Sequence, residues 1–171
     1  MGRGLRPDRY VESAYGIDYR ALYAAGYRGI IFDIDNTLVP PNAPADARSK
    51  KLFADLKDLG FATVIMSNNT GQRARDFAKA VGSPVVTGAW KPFPGRYPEA
   101  LDLMHTAKEN TLAIGDQIYT DIWGANNAGL TSVLTRPLTL SEEFWIKAKR
   151  LLEKPVIGGL TPEKGEEHGR N

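Results

Sequence analysis

Five short apolar runs, at 28–33, 61–67, 84–87, 111–114 and 131–134, are separated by amphipathic stretches long enough for helices. That alternation admits few folds. Strands joined by helices need crossover connections, which are right-handed, so the runs are expected to pair in parallel in one α/β sheet with helices on both faces. The segment 50–59 illustrates the helical period, with Leu52, Phe53, Leu56 and Leu59 on one face and Gly60 closing it. Helices are also expected over 73–81, 97–104 and 121–128. In open parallel sheets, ligands bind outside the carboxyl ends of the strands. Three of the runs stop at or just before a residue with chemical potential: Asp33, Ser67 and, past Ile114 and Gly115, Asp116.

The flanks carry less pattern. Residues 1–27, with Leu5, Tyr10, Val11, Ile17 and Leu22, are expected to form a strap and short helix packed on the sheet. Residues 140–154 read as a terminal helix, with Thr139 and Glu142 at capping-box spacing, and 155–171 as a frayed tail. One domain over 1–154 therefore accounts for the 171 residues. An apolar content of 42% and a charged content of 25% suit a chain burying one core, and a formal net charge of +2 gives no argument for nucleic acid. There are no cysteines, which excludes disulfides and thiolate metal sites and suits a cytoplasmic location. No apolar run approaches a membrane span, and the start lacks a secretory pattern.

The chemistry concentrates in DIDNT at 33–37. Two carboxylates two residues apart at a strand end repel each other unless a cation or divided protonation relieves them. Magnesium does this with a few hard oxygen ligands. Asp33 can then be both metal ligand and nucleophile on phosphorus, and Asp35 the acid that protonates a leaving alkoxide and later takes a proton from water. Ser67 and Asn68 offer a hydroxyl and an amide to phosphate oxygens, and Lys91 in KPFP supplies a balancing cation. Asp116 in GDQIYTD adds a carboxylate for the metal, and Asp121 can orient Lys91 or the metal's waters. Taken singly each of these is an ordinary cap, turn or loop residue. Their order and placement at strand ends are what single them out.

DIDNT, SNN, KPFP and GDQIYTD, in that order, closely resemble the four signature motifs of haloacid dehalogenase (HAD) superfamily phosphatases. LRPDRYV near the start and GDQIYTDIWGANNAG resemble the YqeG-type class IIIA branch, related to the mitochondrial-type phosphatidylglycerophosphatases. The resemblance spans roughly 5–154 and loses no signature position. It implies a Rossmann-like five-stranded sheet of order 5-4-1-2-3. It also implies magnesium held by Asp33, the Asp35 carbonyl and Asp116, and phosphate held by Ser67 and Lys91 with Asn68 and Thr37 in support. The intervals 36–66 and 68–90 are too short for the cap domain that many HAD enzymes insert, so an open site is expected. An open site favours a substrate presented on a surface, with phosphatidylglycerophosphate the favoured one.

Membrane contact has two candidate flanks: Arg3, Arg6 and Arg9 around Leu5, and the terminal helix with Phe144, Trp145 and Ile146 among Lys147, Lys149 and Arg150. Ordinary packing of that helix is the competing reading. Two other functional readings stay open at this stage. One is a capless phosphatase for a soluble sugar phosphate, nucleic-acid end or phosphoprotein, with a partner subunit as lid. The other is a regulatory protein that holds magnesium without turnover. His105 and His168 suit neither a triad nor a zinc site, and Arg73 and Arg75 read as solvated helix-face residues.

Overall fold

The computed structural model describes residues 3–144 and 146–147. Its strands are β1 (Arg9–Val11), β2 (Gly29–Phe32), β3 (Ala62–Met66), β4 (Val85–Val86), β5 (Thr111–Gly115) and β6 (Thr131–Thr135). Helices α1 (Tyr19–Ala24), α2 (Ala47–Leu59), α3 (Gln72–Val81), α4 (Tyr97–Met104) and α5 (Trp123–Ala128) connect them. All pairings are parallel, in the order β1-β6-β5-β2-β3-β4. The order expected for five strands holds as β6-β5-β2-β3-β4. The count does not, because β1 adds a sixth strand at the β6 edge.

That strand lies inside the segment expected to be a strap. Three residues are too few to show a period in sequence, and the pairing is fixed from far along the chain. Asp8 donates its N–H to the Ser132 carbonyl and accepts from Ser132 N at 2.8 Å, while Asn126 Nδ2 donates to the carbonyls of Gly4 and Arg6. These contacts hold the chain in register with β6, Arg9 opposite Val133.

β2 sits at the centre, and its alternation serves both faces. Ile30 and Phe32 pack with Leu52, Phe53, Leu56 and Phe77 beneath α2 and α3. Ile31 packs on the other face with Val64, Tyr97, Ala100 and Ala125 beneath α4 and α5. α2 starts at Ala47, earlier than the apolar spacing indicated, because Asp46 caps it: its carboxylate accepts from Ser49 N while Ser49 Oγ accepts from Asp46 N.

The C-terminal segment also departs from expectation. Residues 142–144 and 146–147 are helical, with Ser141 Oγ accepting from Phe144 N, whereas Thr139 donates its hydroxyl to Asn36 Oδ1. The cap therefore falls on Ser141, and the Thr139–Glu142 box does not form. Most of the terminal helix expected over 140–154, and all of the tail expected over 155–171, lie outside the described residues. Among the described residues, no helix is long and apolar enough to cross a membrane.

Candidate active site

Strand register explains why motifs dispersed through the chain meet. Phe32 of β2 pairs with Ile65 of β3 on one side and Ile114 of β5 on the other. One step further, Asp33 stands level with Met66 and Gly115, with Ser67 and Asp116 immediately beyond. All three strands then end together, and their polar successors share one rim.

Lys91 is the hub. Its side chain is 4% exposed, and its Nζ donates to Asp33 Oδ1 at 3.0 Å, Asp121 Oδ1 at 2.5 Å and the Met66 carbonyl at 3.3 Å. Asn68 fixes the approach of this loop: its amide oxygen accepts from Lys91 N at 2.7 Å and its Nδ2 donates to the Lys91 carbonyl. Ser67 Oγ accepts from Asn69 N in a local turn, leaving the hydroxyl proton available. Thr37, fully buried, donates its hydroxyl to Asp116 Oδ1 at 3.3 Å.

Asp121 reaches the hub through a local device. Residues Ile118–Ile122 form a π-helical turn, a form that recurs at functional sites, and Asp121 Oδ2 accepts from Gln117 N. The turn folds Asp121 over Gly115 so closely that a Cβ there would lie 2.4 Å from its Cγ. Gly115 is thus required by contact, not by backbone angle.

Carboxylate oxygens of Asp33, Asp116 and Asp121 lie within 4.8 Å of one another. Three carboxylates against one ammonium leave two uncompensated negative charges at a largely buried rim. Burial, and then the Asp121 charge, push the Asp33 carboxyl up, with Lys91 offsetting part of the rise. Burial followed by Asp121 and Asp33 push Asp116 up to about 8. For Lys91, burial would lower the pKa, but Asp121 and Asp33 together outweigh it and hold the ammonium charged. A divalent cation fits this donor set, because it would cancel the residual charge.

The sign of the pH effect follows. Asp33 and Asp116 bind a proton more tightly folded than unfolded, so the metal-free fold draws stability from them at low pH. That contribution is lost as pH rises from the ordinary carboxylate value of 3.8 to about 8. Melting temperatures measured with EDTA should fall over that range, and saturating magnesium should flatten the fall. A metal-free profile that rises with pH would contradict the charge assignment.

Asp35 lies apart from the three clustered carboxylates. Its Oδ1 meets Arg73 Nη2 at 2.8 Å and accepts from Asn42 N, and its Oδ2 accepts from Arg73 Nη1 at 3.2 Å. Arg73 is therefore not the solvated residue expected. A signal for it did exist in the sequence: a cation in the first turn of a helix opposes the macrodipole and so calls for another reason to be there.

A parallel α/β sheet with two aspartates just past its central strand and a buried lysine beside the first is the arrangement that the resemblance to HAD phosphatases implies. The HAD-hydrolase-like family model matches residues 89–137, which hold Lys91, Asp116 and Asp121. "Probable phosphatase YqeG" of Bacillus subtilis is 33% identical over 155 residues, 90% of this chain and 90% of that one. Phosphatidylglycerophosphate phosphatase 1, chloroplastic, of Chlamydomonas reinhardtii is 32% identical over 152 residues, 76% of this chain but 56% of the algal protein. This chain thus spans little more than half the length of that relative. The HAD phosphatase structure from Thermococcus onnurineus superposes with a TM-score of 0.51 at 14% identity, covering 73% of this chain and 97% of that one, a likeness of fold. The chain belongs to the HAD superfamily of phosphatases, in its YqeG-type class IIIA branch. It is a phosphatase, so the regulatory alternative without turnover gives way.

Proposed function

We propose that this phosphatase is a magnesium-dependent phosphomonoester hydrolase that works through a phospho-aspartate on Asp33 and takes phosphatidylglycerophosphate as its substrate. The observation that carries the reading is the buried Lys91 ammonium held between Asp33 and Asp121, with Asp116 beside them. An Asp33 oxygen attacks phosphorus, the P–O ester bond breaks, and its electron pair leaves on the alcohol oxygen as Asp35 delivers a proton. Water then attacks the phosphoryl phosphorus and gives a proton to Asp35, and the electron pair of the acyl phosphate bond returns to Asp33. Lys91 balances charge on the transferring group and keeps Asp33 aimed. Asp33, Asp116 and the Asp35 carbonyl would hold magnesium, which when bound neutralises charge among carboxylates and phosphoryl oxygens. Ser67, with Asn68 and Thr37 in support, completes the phosphate cradle.

Two observations support the lipid substrate. The algal relative carries that activity in its name. The loops that carry Lys91 and Asp121 also expose large aromatic side chains. Trp90 at 73% exposure and Phe93 at 69% flank Lys91, while Tyr119 at 61% lies two residues before Asp121. Amphipathic rings such as Trp90 and Tyr119 favour a boundary between water and acyl chains.

The test is a panel of phosphatidylglycerophosphate in vesicles, soluble sugar phosphates, nucleotides and a phosphopeptide, each with magnesium and with EDTA. The vesicle-borne lipid should be turned over with kcat/KM at least about tenfold above every soluble substrate, which is about 1.4 kcal/mol of discrimination, and EDTA should abolish turnover. A soluble sugar phosphate as best substrate would reject the lipid reading, and full activity in EDTA would reject the metal.

A further inference from the structure

We infer that Arg73 is a positioning residue for the second half of the reaction, holding the Asp35 carboxylate as the base that activates water on phospho-Asp33. The inference rests on the phosphatase chemistry proposed above and adds to it a residue outside the four motifs. Arg73 meets both oxygens of Asp35: Nη1 donates to Oδ2 at 3.2 Å and Nη2 lies in ion-pair contact with Oδ1 at 2.8 Å, while Nη2 donates to the Ala43 carbonyl at 2.7 Å. Asn42 N adds a third donor to the same carboxylate at 3.0 Å. One planar fork thus ties together the end of β2, the 40–46 loop and the first turn of α3.

Stability alone is a poor reason for this arrangement. Arg73 opposes the helix dipole, its Nε is buried without a partner, and the half-exposed Asp35 makes the pair a weak source of net stabilisation. A two-point grip does, however, fix the carboxylate plane, which a single contact cannot do. A catalytic base must sit within hydrogen-bond reach of the water it deprotonates, and small errors of placement cost rate steeply. In the step concerned, the water oxygen bonds to phosphorus as the P–O bond to Asp33 breaks. The electron pair returns to Asp33 and the water's proton passes to Asp35.

Where the leaving group needs no proton from Asp35, only breakdown of the covalent intermediate depends on this grip, and its loss has a distinctive kinetic form. With an aryl phosphate, whose leaving group departs readily without a proton, phosphorylation of Asp33 should be nearly unaffected. Arg73→Ala should lower kcat about tenfold to a hundredfold and lower KM in parallel, keeping kcat/KM within about twofold of wild type. It should also show a burst of phenol release approaching one equivalent per site. Arg73→Lys, which keeps the charge but not the fork, should fall between. A merely structural role moves kcat/KM instead. Loss of kcat/KM in step with kcat and without a burst, in both variants, would overturn the inference, as would unchanged kcat. Failure of the underlying chemistry looks different: wild-type protein would then form no phospho-aspartate at Asp33 at all.

Discussion

Asp33→Asn protein should lose turnover by more than about a thousandfold on every phosphomonoester while keeping its fold. Asparagine matches the shape of aspartate and can still accept from Lys91 Nζ, but its amide is no nucleophile for phosphorus. The stability effect should run the other way from the activity effect. Burial and the Asp121 charge already oppose ionisation of Asp33, so removing that charge relieves repulsion around the acidic cluster. Metal-free Asp33→Asn should therefore melt no lower than wild type near pH 8, and the magnesium-induced rise in melting temperature should shrink, since one ligand is gone. Retained activity in this variant would defeat the assignment of the nucleophile.

Lys91→Met should be severe in both respects. Methionine fills the same channel without the ammonium, leaving Asp33 and Asp121 to face each other across a space 4% exposed in the native side chain. Breaking a buried ion pair by removing one partner costs about 3–5 kcal/mol. Urea unfolding of the metal-free variant at about pH 8 should show a loss of that order, smaller at low pH where the carboxyls take protons. Magnesium should recover part of the stability. It should not recover turnover, which should stay down by about a hundredfold or more because charge on the transferring phosphoryl group has lost its lysine. Near-normal kcat in folded Lys91→Met protein would mean that the lysine is only a structural counter-ion.

The central architecture was legible because it rests on local pattern. Apolar runs of strand length, helix-closing glycines such as Gly60 and Gly82, and polar residues at run ends are each written in a few adjacent residues. The motif resemblance supplied the strand order, and the structure bears it out for the five strands β2 to β6. What escaped depends on partners distant in sequence. β1 forms because Asp8 finds Ser132, more than a hundred positions away. Arg73 matters because folding brings it to Asp35, across the 40–46 loop. Thr139 leaves its expected capping place for Asn36 of the first motif, so that the turn after β6 braces the rim. Asp121 was expected to orient Lys91 or the metal's waters, and its geometry fits the first role, with a π-helical turn setting the reach.

Chemical trapping of the covalent intermediate tests the central claim most directly. Asp35→Asn protein, which lacks the base for the second step, is given an aryl phosphate with magnesium, quenched in acid and treated with borohydride, which reduces an acyl phosphate to an alcohol. Peptide mapping should find homoserine in place of aspartate at position 33 and at no other aspartate. Reduction at Asp116 or Asp121, or sustained turnover with no acyl phosphate at any position, would contradict the account.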